Sequence, residues 1–173
     1  YKHICNSGGV FAHTDMQLNM VRPGIALYGC NPDNSGKDYG LKSIMEFKTS
    51  IIAIRDLKKG ETVSYGRHYK AETDLRIAVI GAGYADGYNR RLSNKAEVII
   101  CGKRARVLGN ICMDVFMADI TDIPDACTGS EVILIGRGGN ESITADELAE
   151  ISGTISYEIL TSITNRVERE YLG

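Results

Sequence analysis
Tryptophan is missing from this chain, and proline and histidine occur only three times each. The histidines, His3, His13 and His68, fall at no metal-ligand spacing, so no metal site is expected. Cys5, Cys30, Cys101, Cys112 and Cys127 make an odd count with no CxxC pair. That pattern argues against a disulfide framework or a zinc site and points to a reducing, cytoplasmic compartment. No basic block stands out and the net charge is −2, which argues against a nucleic-acid surface. No apolar run reaches the roughly 18 residues of a membrane span, and no signal peptide is visible. No membrane contact is expected from this segment.

Glycine is plentiful by contrast. Nineteen glycines point to many turns between short strands. A composition of 43% hydrophobic and 24% charged residues is that of an ordinary globular protein. The length, 173 residues, suits one domain, or one domain and a fragment of another. The chain starts at Tyr1, without a methionine, inside what reads as an apolar strand. The expectation is a C-terminal piece of a longer protein.

Tyr1–Cys5 reads as a strand entering a turn at Asn6–Gly9, with a helix over Val10–Asn19. Met20–Gly29 reads as strand, turn, then strand or short helix. Strand, helix, strand is an α/β unit, too small for a core of its own. Asn31–Lys42 is a polar connector. Strands are expected over Phe47–Ile54, Arg76–Ile80, Glu97–Cys101, Ala105–Leu108, Val115–Ile120 and Glu131–Ile135. Short strands at this spacing predict an antiparallel barrel or sandwich. Gly136-Arg137-Gly138-Gly139 reads as a turn, since it lacks the lysine and spacing of a phosphate loop. Thr144 and Glu147 match a capping box opening a helix that stops at Gly153, and a second helix is expected over Tyr157–Ile163.

Candidate chemistry gathers at the turns. Tyr65 lies in Ser64-Tyr65-Gly66 and Tyr84 in Gly83-Tyr84-Ala85-Asp86-Gly87, with Arg90 and Arg91 close by in sequence. Glycine-permitted backbone at a strand end can aim a phenol outward. Tyrosine is a poor base at neutral pH unless a cation stabilises the phenolate, its ordinary pKa being about 10. Read alone, both tyrosines also fit turn and core-rim positions. Asn6-Ser7-Gly8-Gly9 ahead of a helix, and Arg22-Pro23-Gly24-Ile25, offer backbone N–H groups, a hydroxyl and a fixed charge to an anion. Each also fits a plain turn or a strand-end arginine paired with a carboxylate. Cys112-Met113-Asp114 can present N–H groups to a carboxylate, or simply start a strand with a buried cysteine.

The ordered set carries more than its members. His3-x-x-Asn6-Ser7, Arg22-Pro23-Gly24-Ile25-x-x-Tyr28-Gly29, Val63-Ser64-Tyr65-Gly66, Gly83-Tyr84-Ala85-Asp86-Gly87, Cys112-Met113-Asp114, Ile155-Ser156-Tyr157-Glu158 and Arg166-Val167-x-Arg169 follow one another along almost the whole chain. In that order they resemble the C-terminal half of the bacterial alanine racemases. The resemblance implies a mainly β fold: a C-terminal antiparallel Greek-key-like β-barrel domain with short C-terminal helices, preceded by the last strands of a (β/α)8 barrel. Residues 1–30 would end the barrel, 31–42 link, and 43–173 form the β domain. It further implies a pyridoxal-phosphate enzyme, a homodimer, that interconverts L- and D-alanine for peptidoglycan. Tyr65 matches the tyrosine base supplied to the partner subunit. Arg22 matches the arginine facing the pyridine nitrogen; it would keep that nitrogen unprotonated and the cofactor a weaker electron sink. Ser7, Gly24, Ile25 and Tyr157 match phosphate-site positions, and His3 a histidine near Arg22. Met113 matches the residue whose N–H meets the substrate carboxylate. Tyr84, Arg90 and Ile155 match positions along the corridor to the site, with Tyr84 close enough to contact substrate.

Departures bear on this. The lysine that holds the cofactor in that family has no counterpart here, so the chain alone is expected to be inactive. Asn110 stands where many members carry a corridor arginine, and Glu168 where a proline is common. Two alternatives share the sequence features: the racemase domain of a membrane-attached serine/alanine racemase of the vancomycin-resistance type, and a non-catalytic β-barrel module for dimerisation or binding. Tyr157 favours alanine over serine, because a smaller residue would leave room for a hydroxymethyl group.

Overall fold
The β-branched runs between glycine turns become strands, and the strands close on themselves. The computed structural model describes residues 1–33 and 37–172. Contacts divide the chain into two units, Tyr1–Met45 and Glu46–Gly173.

In the first unit, α1 (Ser7–Ala12) starts inside the segment expected to be a turn. Asn6 causes this: its side chain caps the helix by accepting the Gly9 N–H at 3.0 Å. The helix ends at His13, whose backbone leaves the helical region (φ −135°, ψ 67°), and only a 3-10 turn over Thr14–Met16 follows. The expected helix to Asn19 is therefore shorter and earlier. Tyr1–Cys5 is not a strand. One parallel bridge joins Asn6 to Arg22, with the Arg22 N–H on the Cys5 carbonyl at 2.9 Å, and a single bridge does not propagate a ladder. Ile25–Tyr28 forms a 3-10 turn. Of the expected connector 31–42, residues 34–36 lie outside the described residues.

The second unit holds β1 (Phe47–Leu57), β2 (Thr62–Val63), β3 (Tyr69–Lys70), β4 (Leu75–Ile80), β5 (Glu97–Ile100), β6 (Lys103–Leu108), β7 (Phe116–Asp119), β8 (Glu131–Gly138) and β9 (Glu141–Ile143). The order β1-β4-β7-β6-β5-β8 is closed by a β8–β1 pairing. All pairings are antiparallel. β1 serves two neighbours: Phe47–Ser50 face β8 and Ile51–Leu57 face β4. Closure removes the open edges that invite pairing with other chains. β5, β6 and β7 run as a meander and β4 lies beyond β7, a Greek key. Alternate side chains point inward, and Ile51, Ile80, Val98, Leu108, Phe116, Val132 and Leu134 are among those that fill the interior. Each such side chain contributes about 1.5–3 kcal/mol by leaving water.

The two-residue strands β2 and β3, and β9, were not foreseen in the sequence. β8 also runs through Gly136–Gly138, expected as a turn. Gly138 is needed there for close packing: a Cβ would lie 2.8 Å from Ile133 Cδ1 and 2.9 Å from Ile99 Cγ2. Two helices follow, α2 (Ala145–Ser152) and α3 (Ser156–Ser162). Thr144 caps α2 as expected, accepting the Glu147 N–H at 3.0 Å. The return half of the capping box does not form. Glu147 turns instead to Arg104, with N···O distances of 2.6 and 3.0 Å, a charge-assisted pair that outweighs a neutral donor. Glu97 and Glu141 meet the same guanidinium at 3.1 and 3.0 Å, and the Arg104 pKa is raised, by the hydrogen bond to Glu147 first and by Glu97 and Glu141 after it.

Candidate functional site
In the first unit, the turn that starts at Gly24 is built on Ser7. The buried Ser7 Oγ accepts the Gly24 N–H at 2.8 Å and the Ala26 N–H at 3.3 Å. With two acceptor positions used, its own proton is left to donate. The Ile25 N–H between them has no partner among the described residues. A Cβ at Gly24 would meet nothing within 4 Å, so the backbone there borders open space. Arg22 donates to the His3 ring through Nη1 and lies 3.5 Å from the Ile4 carbonyl through Nη2. Thus Ser7, Gly24 and Ile25 come together, and His3 meets Arg22.

In the second unit, β4 and β6 finish at the end where β7 begins, since Ile80 faces Phe116 and Leu108 faces Met117. Three loops leave from that end or reach it. Tyr65 sits in a 3-10 turn over Tyr65–Arg67, anchored one side by buried Val63, which packs with Leu57, Ala71, Ile77 and Leu108. Tyr65 is 77% exposed, and its phenol has no hydrogen-bond partner among the described residues. Tyr84 opens a second 3-10 turn, Tyr84–Asp86. This loop is stitched to the third: the Tyr84 N–H donates to the Cys112 carbonyl and the Ala85 N–H to the Met113 carbonyl, both at 3.0 Å. Gly83 permits that approach, because a Cβ there would lie 2.3 Å from the Met113 oxygen. The Met113 N–H stays without a partner among the described residues.

Arg90 and Asn110 belong to the same network. Ser93 Oγ donates to the Arg90 carbonyl at 2.5 Å and accepts the Ile111 N–H at 2.9 Å. Asn110, read from sequence as a corridor position, also donates from Nδ2 to the Tyr65 carbonyl at 2.8 Å. Ile155 and Tyr157 stand at the start of α3, whose far end is tied down by Ser162 Oγ on the Gly87 carbonyl at 3.1 Å. Tyr84, Met113, Ile155 and Tyr157 all leave large surfaces exposed. Arg166 braces the loops by bonding Asp114 at 2.6 Å and Asp86 at 3.3 Å, and the hydrogen bond to Asp114 raises its pKa further. The terminal Arg-Val-x-Arg motif signalled this arginine, and its partners Asp86 and Asp114 stand in two other quoted motifs, but nothing in the sequence signalled the pairing.

Comparison with known proteins fits this arrangement. The family described as "Alanine racemase, C-terminal domain" matches residues 44–171, and "Alanine racemase, N-terminal domain" matches residues 1–32. Alanine racemase 1 of Clostridium acetobutylicum is 46% identical over 173 residues, covering 99% of this chain and 45% of the relative. The crystal structure of biosynthetic alanine racemase from Pseudomonas aeruginosa superposes with a TM-score of 0.91 at 36% identity, covering 99% of this chain and 47% of that one. The alanine racemase of Bartonella henselae, solved with covalently bound pyridoxal phosphate, gives a TM-score of 0.88 at 34% identity, covering 97% and 46%. The chain thus spans less than half the length of these relatives. With both family domains matched in order and the barrel reproduced at these identities, the chain belongs to the alanine racemase family and corresponds to its C-terminal portion.

Proposed function
We propose that this chain is the C-terminal part of a pyridoxal-phosphate-dependent alanine racemase and that Tyr65 is one of its two proton carriers. Residues 1–30 are read as the end of the cofactor-bearing barrel, 31–42 as the link and 43–173 as the β domain. The observation that carries the reading is an exposed phenol on a loop braced to the one that bears the Met113 N–H, both groups without a hydrogen-bond partner among the described residues.

The residues present fit the cofactor's phosphate. Ser7 has a proton to donate, Ile25 an open N–H, and Gly24 a backbone that no side chain covers. Arg22, with His3 beside it, supplies a guanidinium suited to facing the pyridine nitrogen. When bound, pyridoxal phosphate delocalises the electron pair left at the substrate Cα. Racemisation removes a proton from one face and returns one to the other, so a carrier is needed on each side. Tyr65 serves one face. A lysine outside this chain serves the other. The Met113 N–H holds the substrate carboxylate, Tyr84 contacts the substrate, and Arg90, Asn110 and Ile155 border the approach. In the homodimer Tyr65 acts in the partner subunit's site.

Two experiments test this. A mixture of this chain with a separately made N-terminal barrel and pyridoxal phosphate should racemise L-alanine, whereas the chain alone should not. A folded, associated mixture without activity on alanine refutes the substrate assignment, and L-serine is the next substrate to try. In the complete dimer, Tyr65→Phe should lower turnover about 10²–10⁴-fold. The enantiomers are equally stable, so kcat/KM must fall equally in both directions. The discriminating readout is loss of a Cα deuterium label, which should stop for one enantiomer and persist for the other. Equal loss of the label from both enantiomers would remove Tyr65 from the chemistry.

A further inference from the structure
The backbone that carries Tyr65 is held in an uncommon shape. Ser64 sits at φ 65°, ψ 172°, a region occupied essentially by glycine. Gly66 and Arg67 also have positive φ, at 76° and 53°. Two reciprocal hydrogen bonds hold this shape. Ser64 Oγ donates to the Asn110 carbonyl at 2.7 Å, and Asn110 Nδ2 donates to the Tyr65 carbonyl at 2.8 Å. Cys112 Sγ lies 3.4 Å from Ser64 Oγ and completes the contact with the loop that carries Met113.

This arrangement stabilises no core. Tyr65, Gly66 and Arg67 are exposed, and the nearest buried anchor is Val63, one residue before Ser64. Ser64 itself is half-buried against Gly109, but the three residues it leads into are exposed, and backbone strain persists only where the surroundings over-determine it. We propose that Ser64 and Asn110 form a clasp that fixes the Tyr65 backbone, making both positioning residues for its phenol. This rests on the reading of Tyr65 as a proton carrier. Asn110 then acts through its amide on the base rather than only as a lining residue, and the amide requires a donor at that position.

The test uses the complete holoenzyme with Ser64→Ala, Asn110→Asp, Ser64→Gly and, as reference, Tyr65→Phe. A base displaced by about an ångström loses on the order of 10²-fold in rate, so Ser64→Ala and Asn110→Asp should lose about 10- to 100-fold in kcat with KM little changed. The Arg67 amide, bonded to the Ser64 carbonyl at 3.3 Å, should exchange its hydrogen faster in both. Ser64→Gly separates positioning from stability. Glycine takes the observed backbone without strain, so the melting temperature should match or exceed wild type while kcat falls as in Ser64→Ala. If kcat in Ser64→Gly tracks the melting temperature, the pair is merely structural and the proposal fails. Wild-type kcat in all three clasp variants beside an inactive Tyr65→Phe overturns the clasp and leaves the base standing. An active Tyr65→Phe overturns the base, and the clasp with it.

Discussion

Tyr88 offers a prediction with an unusual sign. It is 1% exposed and stacks on Phe116 with ring centroids 5.0 Å apart, yet its hydroxyl finds no hydrogen-bond partner among the described residues. An unpaired buried hydroxyl costs about 1–3 kcal/mol in lost hydration. Deleting one buried heavy atom forfeits roughly 0.5–1.5 kcal/mol of packing. Tyr88→Phe should therefore stabilise the protein by about 1 kcal/mol, or some 2–4 °C for a chain of this size, where most core substitutions destabilise. Ionisation sharpens the test. Burial first, and the charge of Glu147 second, push the Tyr88 pKa up from its ordinary 10.0. The folded protein keeps this proton where the unfolded chain has released it. The stability involved is fully present below pH 10 and is lost as pH rises above it. The variant has no such proton, so its advantage should widen by about 1.4 kcal/mol per pH unit in that window. Urea unfolding followed by tyrosine near-ultraviolet circular dichroism, at neutral and alkaline pH, measures both effects. A variant clearly less stable at neutral pH, or an advantage that does not change with pH, would refute the reasoning.

Arg104→Met leaves three carboxylates facing one another. With the arginine side chain 29% exposed, the loss should be about 1–3 kcal/mol and shrink in molar salt, which unfolding at two ionic strengths reads directly; a salt-independent loss would mean packing dominates. Gly83→Ala drives a methyl into the Met113 carbonyl, so it should cost roughly 2 kcal/mol or more and lower turnover of the complete enzyme; unchanged kinetics would mean the two loops need not touch.

The strands that line the ring were legible because their apolar runs are β-branched and glycine-bounded. β2 and β3 were not, because two residues carry no periodicity. The glycines of β8 misled because their role is to admit Ile99 and Ile133 rather than to turn. Of the candidate site, Tyr65, Tyr84 and Met113 were picked out as members of an ordered motif set. The work of Ser64 was invisible, since a left-handed serine leaves no mark where glycine or asparagine would. Asn110 was read by its position in the corridor, while its amide reaches a backbone 45 residues away in sequence. The half-formed capping box shows the same limit: Glu147 has a local partner on offer and takes a distant charge instead.

The double pairing of β1 has a consequence for how the protein is made. Residues 47–50 emerge early and must wait for residues 131–135 before their half of the strand is paired. Until then the ring stands open, with unpaired edges of the kind that aggregate or engage chaperones. The loops bearing Tyr65, Tyr84 and Met113 are all synthesised within that interval. The contacts that join these loops, the β4–β7 and β6–β7 pairings and the bonds from Tyr84 and Ala85 to Cys112 and Met113, need no residue beyond Asp119. A lesion that delays β8 therefore leaves the ring open between β1 and β5, at a distance in the topology from the strand pairs that hold the loops.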